Sequence, residues 1–129
     1  MVKSNIQEMN IESAINFFNK LKQKLDEHSS SELEVFNTAF QKNQWFTLDE
    51  IHRMLNAISN RYLDPNSLKA WLSQYNLNPI SKIKTIAIIS AGNIPLVSFQ
   101  DLLCVLVCGY KAQVKLSEKD TVLYHWIKD

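Results

Sequence analysis

Thr85-Ile86-Ala87-Ile88-Ile89 runs directly into Ser90-Ala91-Gly92-Asn93-Ile94-Pro95. The first five residues are almost uniformly apolar and rich in β-branching, the pattern of a strand buried on both faces. The next four, Ser90 to Asn93, carry turn chemistry. Pro95 to Cys108 then reads as a helix, with Pro at its start and Gly109 just past its end. Ala112 to Leu116 reads as a second strand, and Asp120 as the cap of a last helix through Val122, Leu123, Trp126 and Ile127. Strand, helix, strand makes one βαβ unit, whose two strands are expected to be parallel. Both glycines of the chain, Gly92 and Gly109, fall at turns of this unit.

Upstream the periodicity is helical. Asn10 stands as a cap before Ile11, Ala14, Ile15, Phe18, Leu21 and Leu25, which share one helical face. Glu27 to Ser31 interrupts the pattern, and Ser31 with Glu34 opens a second helix through Phe36 and Phe40. Thr47 with Glu50 forms a capping box, and Phe46 with Ile51 the apolar staple around it; the helix continues through Tyr62. Asp64-Pro65 starts another, with Leu68, Trp71, Leu72 and Tyr75 on its apolar face. Asn76 to Lys82 is a linker. The expected class is α/β in a mostly helical chain: a helical region over residues 1–80, then a βαβ unit over 81–129 that belongs to an incomplete cofactor-binding domain. Two parallel strands are too few for an independent sheet, and the last helical pattern is still running at Asp129, so the chain is expected to be the N-terminal part of a longer protein.

Composition narrows the function classes. The chain has 129 residues, 46% hydrophobic and 21% charged, with a formal net charge of +1. No basic stripe with interleaved aromatics is present, which argues against a nucleic-acid partner. Met1 to Asn10 lacks an apolar signal core, and the longest apolar stretch, Leu96 to Val107, is interrupted by Ser98, Gln100 and Asp101. A bilayer span needs about 20 apolar residues, so no membrane span is expected and the chain reads as cytoplasmic. Cys104 and Cys108 lie on one helical face and are expected to pack as small hydrophobes. His28, His52 and His125 have no ligand spacing, so no metal site is expected; His28 reads as a surface partner of a helix end. Trp45, Trp71 and Trp126 read as core or interface residues, and Asp101 with Ser98 as a thin polar stripe on the Pro95–Cys108 helix.

Function enters through the strand ends. In open α/β sheets ligands bind at the carboxyl ends of parallel strands. Here those ends are Ser90 to Pro95 and Lys115 to Glu118, which should face one crevice. Gly92 admits a close approach there, and a helix starting near Pro95 would aim its free N–H groups into the crevice. There is no G-x-G-x-x-G and no Walker motif. The residues alone therefore indicate an α/β ligand crevice and leave its ligand open.

The stretch Ala91-Gly92-Asn93-Ile94-Pro95-Leu96-Val97, with Phe99, Asp101 to Cys104, Gly109, Lys111, Val114-Lys115-Leu116-Ser117 and Lys119-Asp120, resembles the acyl-CoA reductase family. That family includes the fatty-acid reductases of bacterial luminescence and is akin to the aldehyde dehydrogenases. The upstream run Asn43-Gln44-Trp45-Phe46-Thr47 shares the resemblance, which covers roughly Asn43 to Asp120. It implies an aldehyde-dehydrogenase-like, Rossmann-type cofactor domain. It also implies reduction of a fatty acyl-CoA or other acyl thioester to an aldehyde, through a Cys thioester and hydride from NADP or NAD in reduced form.

By the same resemblance Asn93 is the catalytic oxyanion donor, an amide fixed where negative charge develops. Its plain alternative is a helix cap at Pro95. Lys115, Ser117 and Glu118 fall where that family's superfamily binds the adenine ribose of the cofactor. A carboxylate at Glu118 accepts ribose hydroxyls and repels a 2′-phosphate, which leans toward NAD. The alternative for Lys115 and Glu118 is an exposed surface pair of little energetic consequence. The family's nucleophilic Cys lies downstream of this unit, and Cys104 and Cys108 match helix positions instead, so the chain by itself is expected to be inactive. A second class of function stays open: a non-catalytic helical interaction or assembly module, with homo-oligomerisation or strand exchange through open sheet edges.

Overall fold

A computed structural model describes residues 11–27, 32–77 and 82–129. The expected caps at Asn10 and Ser31, the histidine His28 and the middle of the linker, 78–81, lie outside those residues. The described chain is mostly helical, with a small parallel sheet of two strands. In order it runs α1 (Ile11–Asp26), α2 (Glu32–Lys42), α3 (Leu48–Ala57), a π-helical turn (Ile58–Tyr62) and α4 (Pro65–Leu72). Then come β1 (Thr85–Ile89), α5 (Phe99–Val107), β2 (Lys111–Lys115), a 3₁₀ turn (Glu118–Asp120) and α6 (Val122–Lys128).

The helical starts follow local chemistry. Thr47 caps α3, its hydroxyl oxygen accepting the Glu50 N–H at 3.2 Å. Only half of the capping box forms, because the Glu50 carboxylate reaches forward to Arg53. Phe46 and Ile51, the staple pair, are both fully buried. Asp64 caps α4 by accepting the Ser67 N–H at 2.9 Å, with Pro65 at the first helical position. That bond holds the Asp64 carboxyl below its usual range. The helix expected to run through Tyr62 changes pitch after Ala57 into the π turn. There the buried Ser59 hydroxyl donates to Asp26 on α1 and accepts from Lys22 at 2.9 Å, tying α1 to the end of α3.

One continuous cluster of buried side chains joins the helices to the sheet. It runs from Phe18, Phe36 and Leu55 to Phe99, Leu103 and Leu123. Phe36 meets the Trp126 ring edge-on at 5.3 Å, which seats α6 on α2. Burying an aromatic or aliphatic side chain of this size contributes about 1.5–3 kcal/mol.

β1 and β2 pair in parallel, Thr85 opposite Lys111 through Ile89 opposite Lys115. Residues in register project to the same face, so Ile86, Ile88, Ala112 and Val114 share the side that meets α5. The other side carries Thr85, Ala87, Ile89, Lys111, Gln113 and Lys115. The expectation that β1 is buried on both faces fails here. Ile88 is buried, but Thr85 and Ala87 are exposed and Ile89 is 80% exposed. Lys111 and Lys115 on that second face are exposed as well, and Gln113 is half-buried. α5 ends as expected: Gly109 takes a φ of 78°, donating to Leu106 O while Tyr110 donates to Val105 O, a Schellman closure. No helix among the described residues is long and apolar enough to cross a membrane.

Candidate functional site

The two strand ends meet, as their topology requires. A Cβ added to Gly92 would lie 2.3 Å from Ser117 Oγ and 2.9 Å from the Cβ atoms of Ser117 and Lys119. The absent side chain at Gly92 therefore lets the turn after β1 lie directly against the turn after β2. A third segment closes on the same point. Asn43, buried between α2 and α3, donates from Nδ2 to Gly92 O at 2.9 Å, across 49 residues of sequence. Its Oδ1 accepts the Trp45 N–H at 3.2 Å, which sets the chain direction at Trp45.

The segment between Gly92 and α5 is not helical. The expected helix from Pro95 begins at Phe99, and Pro95 to Ser98 form turns. Leu96 holds a φ of 53°, an uncommon conformation for a side chain of this kind. Two long-range bonds keep it there. The Leu96 N–H donates to Asp120 Oδ2 at 2.7 Å, and the Ser98 N–H donates to the Tyr124 hydroxyl at 3.0 Å. The Ser98 hydroxyl in turn donates to Ser90 Oγ at 2.8 Å, and Ser90 to Ala91 O at 3.1 Å. Tyr124 Oη lies 2.5 Å from Ser98 Oγ and, with Ser98 already donating, supplies the proton of that contact.

These contacts correct two expectations. The N–H groups of Leu96 and Ser98 are consumed inside the protein, so the loop does not present them to a ligand in the crevice. Asp120 does not cap α6; Thr121 occupies that position without a side-chain capping bond, and the Asp120 carboxylate points back to the loop. Asp120 is 2% exposed, and its Oδ1 has no hydrogen-bond partner among the described residues. Burial pushes its carboxyl up to about 6, partly offset by the Leu96 N–H. Burial likewise raises the Tyr124 hydroxyl, against the bonds from Ser98 and Ser90. The Ser90–Ser98–Tyr124 chain fixes the turn.

The residues singled out from the sequence gather at the rim. Asn93 is exposed, one residue beyond Gly92. It cannot cap α5, which starts six residues later, so its reading as a cap is set aside. Lys115 ends β2 with its side chain exposed, and Glu118 is exposed in the 3₁₀ turn. Ser117 caps that turn, its oxygen accepting the Lys119 N–H at 3.3 Å. Trp45 is 67% exposed, and the Lys119 ammonium lies 5.6 Å from its ring centre. Trp45 is thus a surface residue beside the strand ends; of the two expectations, core or interface, the core one is excluded. Asn43 and the Trp45–Lys119 pair belong to this site, and periodicity gave no sign of it; the only signal was the run Asn43 to Thr47.

Other expectations change too. Cys104 is half-buried, and burial, the neighbouring Cys108 and Asp101 all push its thiol up; Cys108 is exposed, not packed. Asp101 faces solvent while Ser98 is buried, so they share no stripe. No cluster of three metal-ligating side chains occurs among the described residues. Away from the strand ends, an apolar groove of about 490 Å³ lies between α1, α5, β2 and α6. No family model, curated protein or solved structure matches the chain.

Proposed function

We propose that this chain is the N-terminal part of an NAD(P)H-dependent acyl-CoA reductase, and that its strand-end crevice is one wall of the cofactor and acyl site. The observation that carries the reading is convergence. Three segments bearing the resemblance, Asn43–Trp45, Gly92–Asn93 and Lys115–Lys119, are far apart in sequence yet meet at the carboxyl ends of two parallel strands.

The side chains present suit the ribose of a dinucleotide better than its diphosphate. Lys115, Ser117 and Glu118 offer an ammonium, a hydroxyl and a carboxylate from one strand end, all reaching the surface or close to it. Glu118 as a hydroxyl acceptor would favour NAD over NADP. The N–H groups of Leu96 and Ser98 are committed to Asp120 and Tyr124, so donors for the diphosphate would come from elsewhere. The cofactor, when bound, supplies hydride. Asn93 would hold an amide donor toward the developing oxyanion of the acyl group.

The reading is tested in the continuous reading frame. A Cys in a Gly-rich loop downstream of Asp129, with acyl-CoA-dependent NAD(P)H oxidation by the longer protein, is the expected finding. Asn93→Ala in that protein should lower kcat by about 10²–10³-fold, the cost of one oxyanion donor. Lys115→Ala should act on the KM for the nucleotide. A native stop after Asp129, or reductase activity in this chain alone, would overturn the proposal. The open sheet favours a second reading, a non-catalytic assembly module, which a native stop would support.

A further inference from the structure

β2 is bonded to β1 along one edge only. Lys111 N–H donates to Lys84 O, and Lys115 O accepts from Ser90 N–H, so Lys111, Gln113 and Lys115 turn their peptide groups toward β1. Alternation therefore puts the N–H and C=O of Ala112 and Val114 on the outer edge, where no described strand meets them. The apolar groove follows the same edge. Ala112, Val114 and Leu116 form its floor beside Phe17, Leu102 and Ile127, and β1 contributes nothing to it.

The charges around this edge have one dominant sign. Lys20, Lys24 and Lys128 stand at the rim of the groove, against the single acid Asp129. Lys111 and Lys115 are exposed on the opposite face of β2, four residues apart. Lys24 is turned to Trp126, whose carbonyl it donates to, while Lys20 and Lys128 form no ion pair among the described residues. A strand laid along β2 would thus find peptide partners, an apolar trough on one side and ammonium groups on the other.

We propose that the outer edge of β2 docks an extended segment of a partner protein, with apolar side chains alternating into the groove and acidic side chains facing Lys111 and Lys115. Main-chain bonds to Ala112 and Val114 give the affinity, and the groove and lysines give the selectivity. The inference shares Lys115 with the reductase reading, but its test turns on Lys111 and Lys128, outside that site, and reads peptide binding, not reduction.

Two labelled peptides of about ten residues test it, one alternating Val and Glu, the other Val and Lys. Fluorescence anisotropy with the full chain should show binding of the acidic peptide alone, weakened by salt. The amides of Ala112 and Val114 should gain protection from hydrogen exchange when it binds. The charge reversal Lys111→Glu with Lys128→Glu, at exposed positions, should weaken the acidic peptide about tenfold and admit the basic one. Equal binding of both peptides, binding of neither, or binding without protection at Ala112 and Val114 would each overturn the proposal. So would protection of the same two amides without peptide, in a concentration-dependent dimer or in the longer protein, which would make a second copy or the protein's own further strands the occupant.

Discussion

The helical half and the βαβ unit solve the burial problem to different extents. In α1 to α4 and their connections, Phe18, Phe36, Phe46, Ile51, Leu55, Ile58 and Leu63 are at most 2% exposed. In the sheet, Ile88 keeps 8% exposure, Ala112 9%, and Ile89 on the far face 80%. A helix satisfies its own backbone and needs only one face covered. A strand needs neighbours along both edges and cover on its faces, and here one pair must supply everything. The molecule is therefore closed where its bonds are local and open along the sheet. Its candidate binding features, the strand-end crevice and the β2 edge, both lie in the open part.

Phe46→Ala, in the helical core, should lower stability by about 3–5 kcal/mol in urea denaturation. A loss comparable to that of a surface site would mean that the core does not hold the fold.

The next largest effect concerns Asp120, where the two halves of the βαβ unit are pinned together. Its carboxyl is raised from 3.8 to about 6 by burial. The folded state therefore binds a proton that the unfolded state has lost between those pH values. Stability from this group is fully present below about pH 4 and is lost as pH rises through about 6. The whole effect is about 2–3 kcal/mol at most. Asp120→Asn keeps an acceptor for Leu96 and removes the titration. The variant should gain on the parent protein progressively from pH 4 to pH 7; a constant difference would contradict the assigned protonation. Asp64, held low by the Ser67 N–H, contributes with the opposite sign.

Gly92→Ala should cost about 1–3 kcal/mol, because its Cβ would overlap the Ser117 side chain. Ser117→Gly should recover part of that loss in the double variant, a coupling that independent sites would not show. At the small end, Thr47→Ala should cost about 1 kcal/mol through the lost cap. Ile89→Ala should change stability by less than about 0.5 kcal/mol. A large loss at Ile89 would mean that its exposed face is covered in solution.

The same contrast governs what is legible in the sequence. Thr47, Asp64 and Gly109 act on backbone groups a few residues away, so their roles stand in the sequence itself. The start of α5 did not, because Leu96 and Ser98 are held by Asp120 and Tyr124, 24 and 26 residues downstream. Asp120 and Pro95 each look like a helix start, and both local signals lose to a tertiary bond or turn. Trp45 reads as core or interface from its residue type, and Asn43 turns the chain there toward Gly92 and leaves the ring at the surface. The crevice itself followed from two parallel strands, but Asn43 entered it across 49 residues with no periodic signature.

A nucleotide-facing wall at the strand ends can be tested by an NMR titration of the chain with NAD. Such a wall should give weak binding, with shift changes confined to the amides of Asn93 and Lys115 to Lys119. Absence of those shifts, or shifts confined to the groove between α1 and α5, would contradict it.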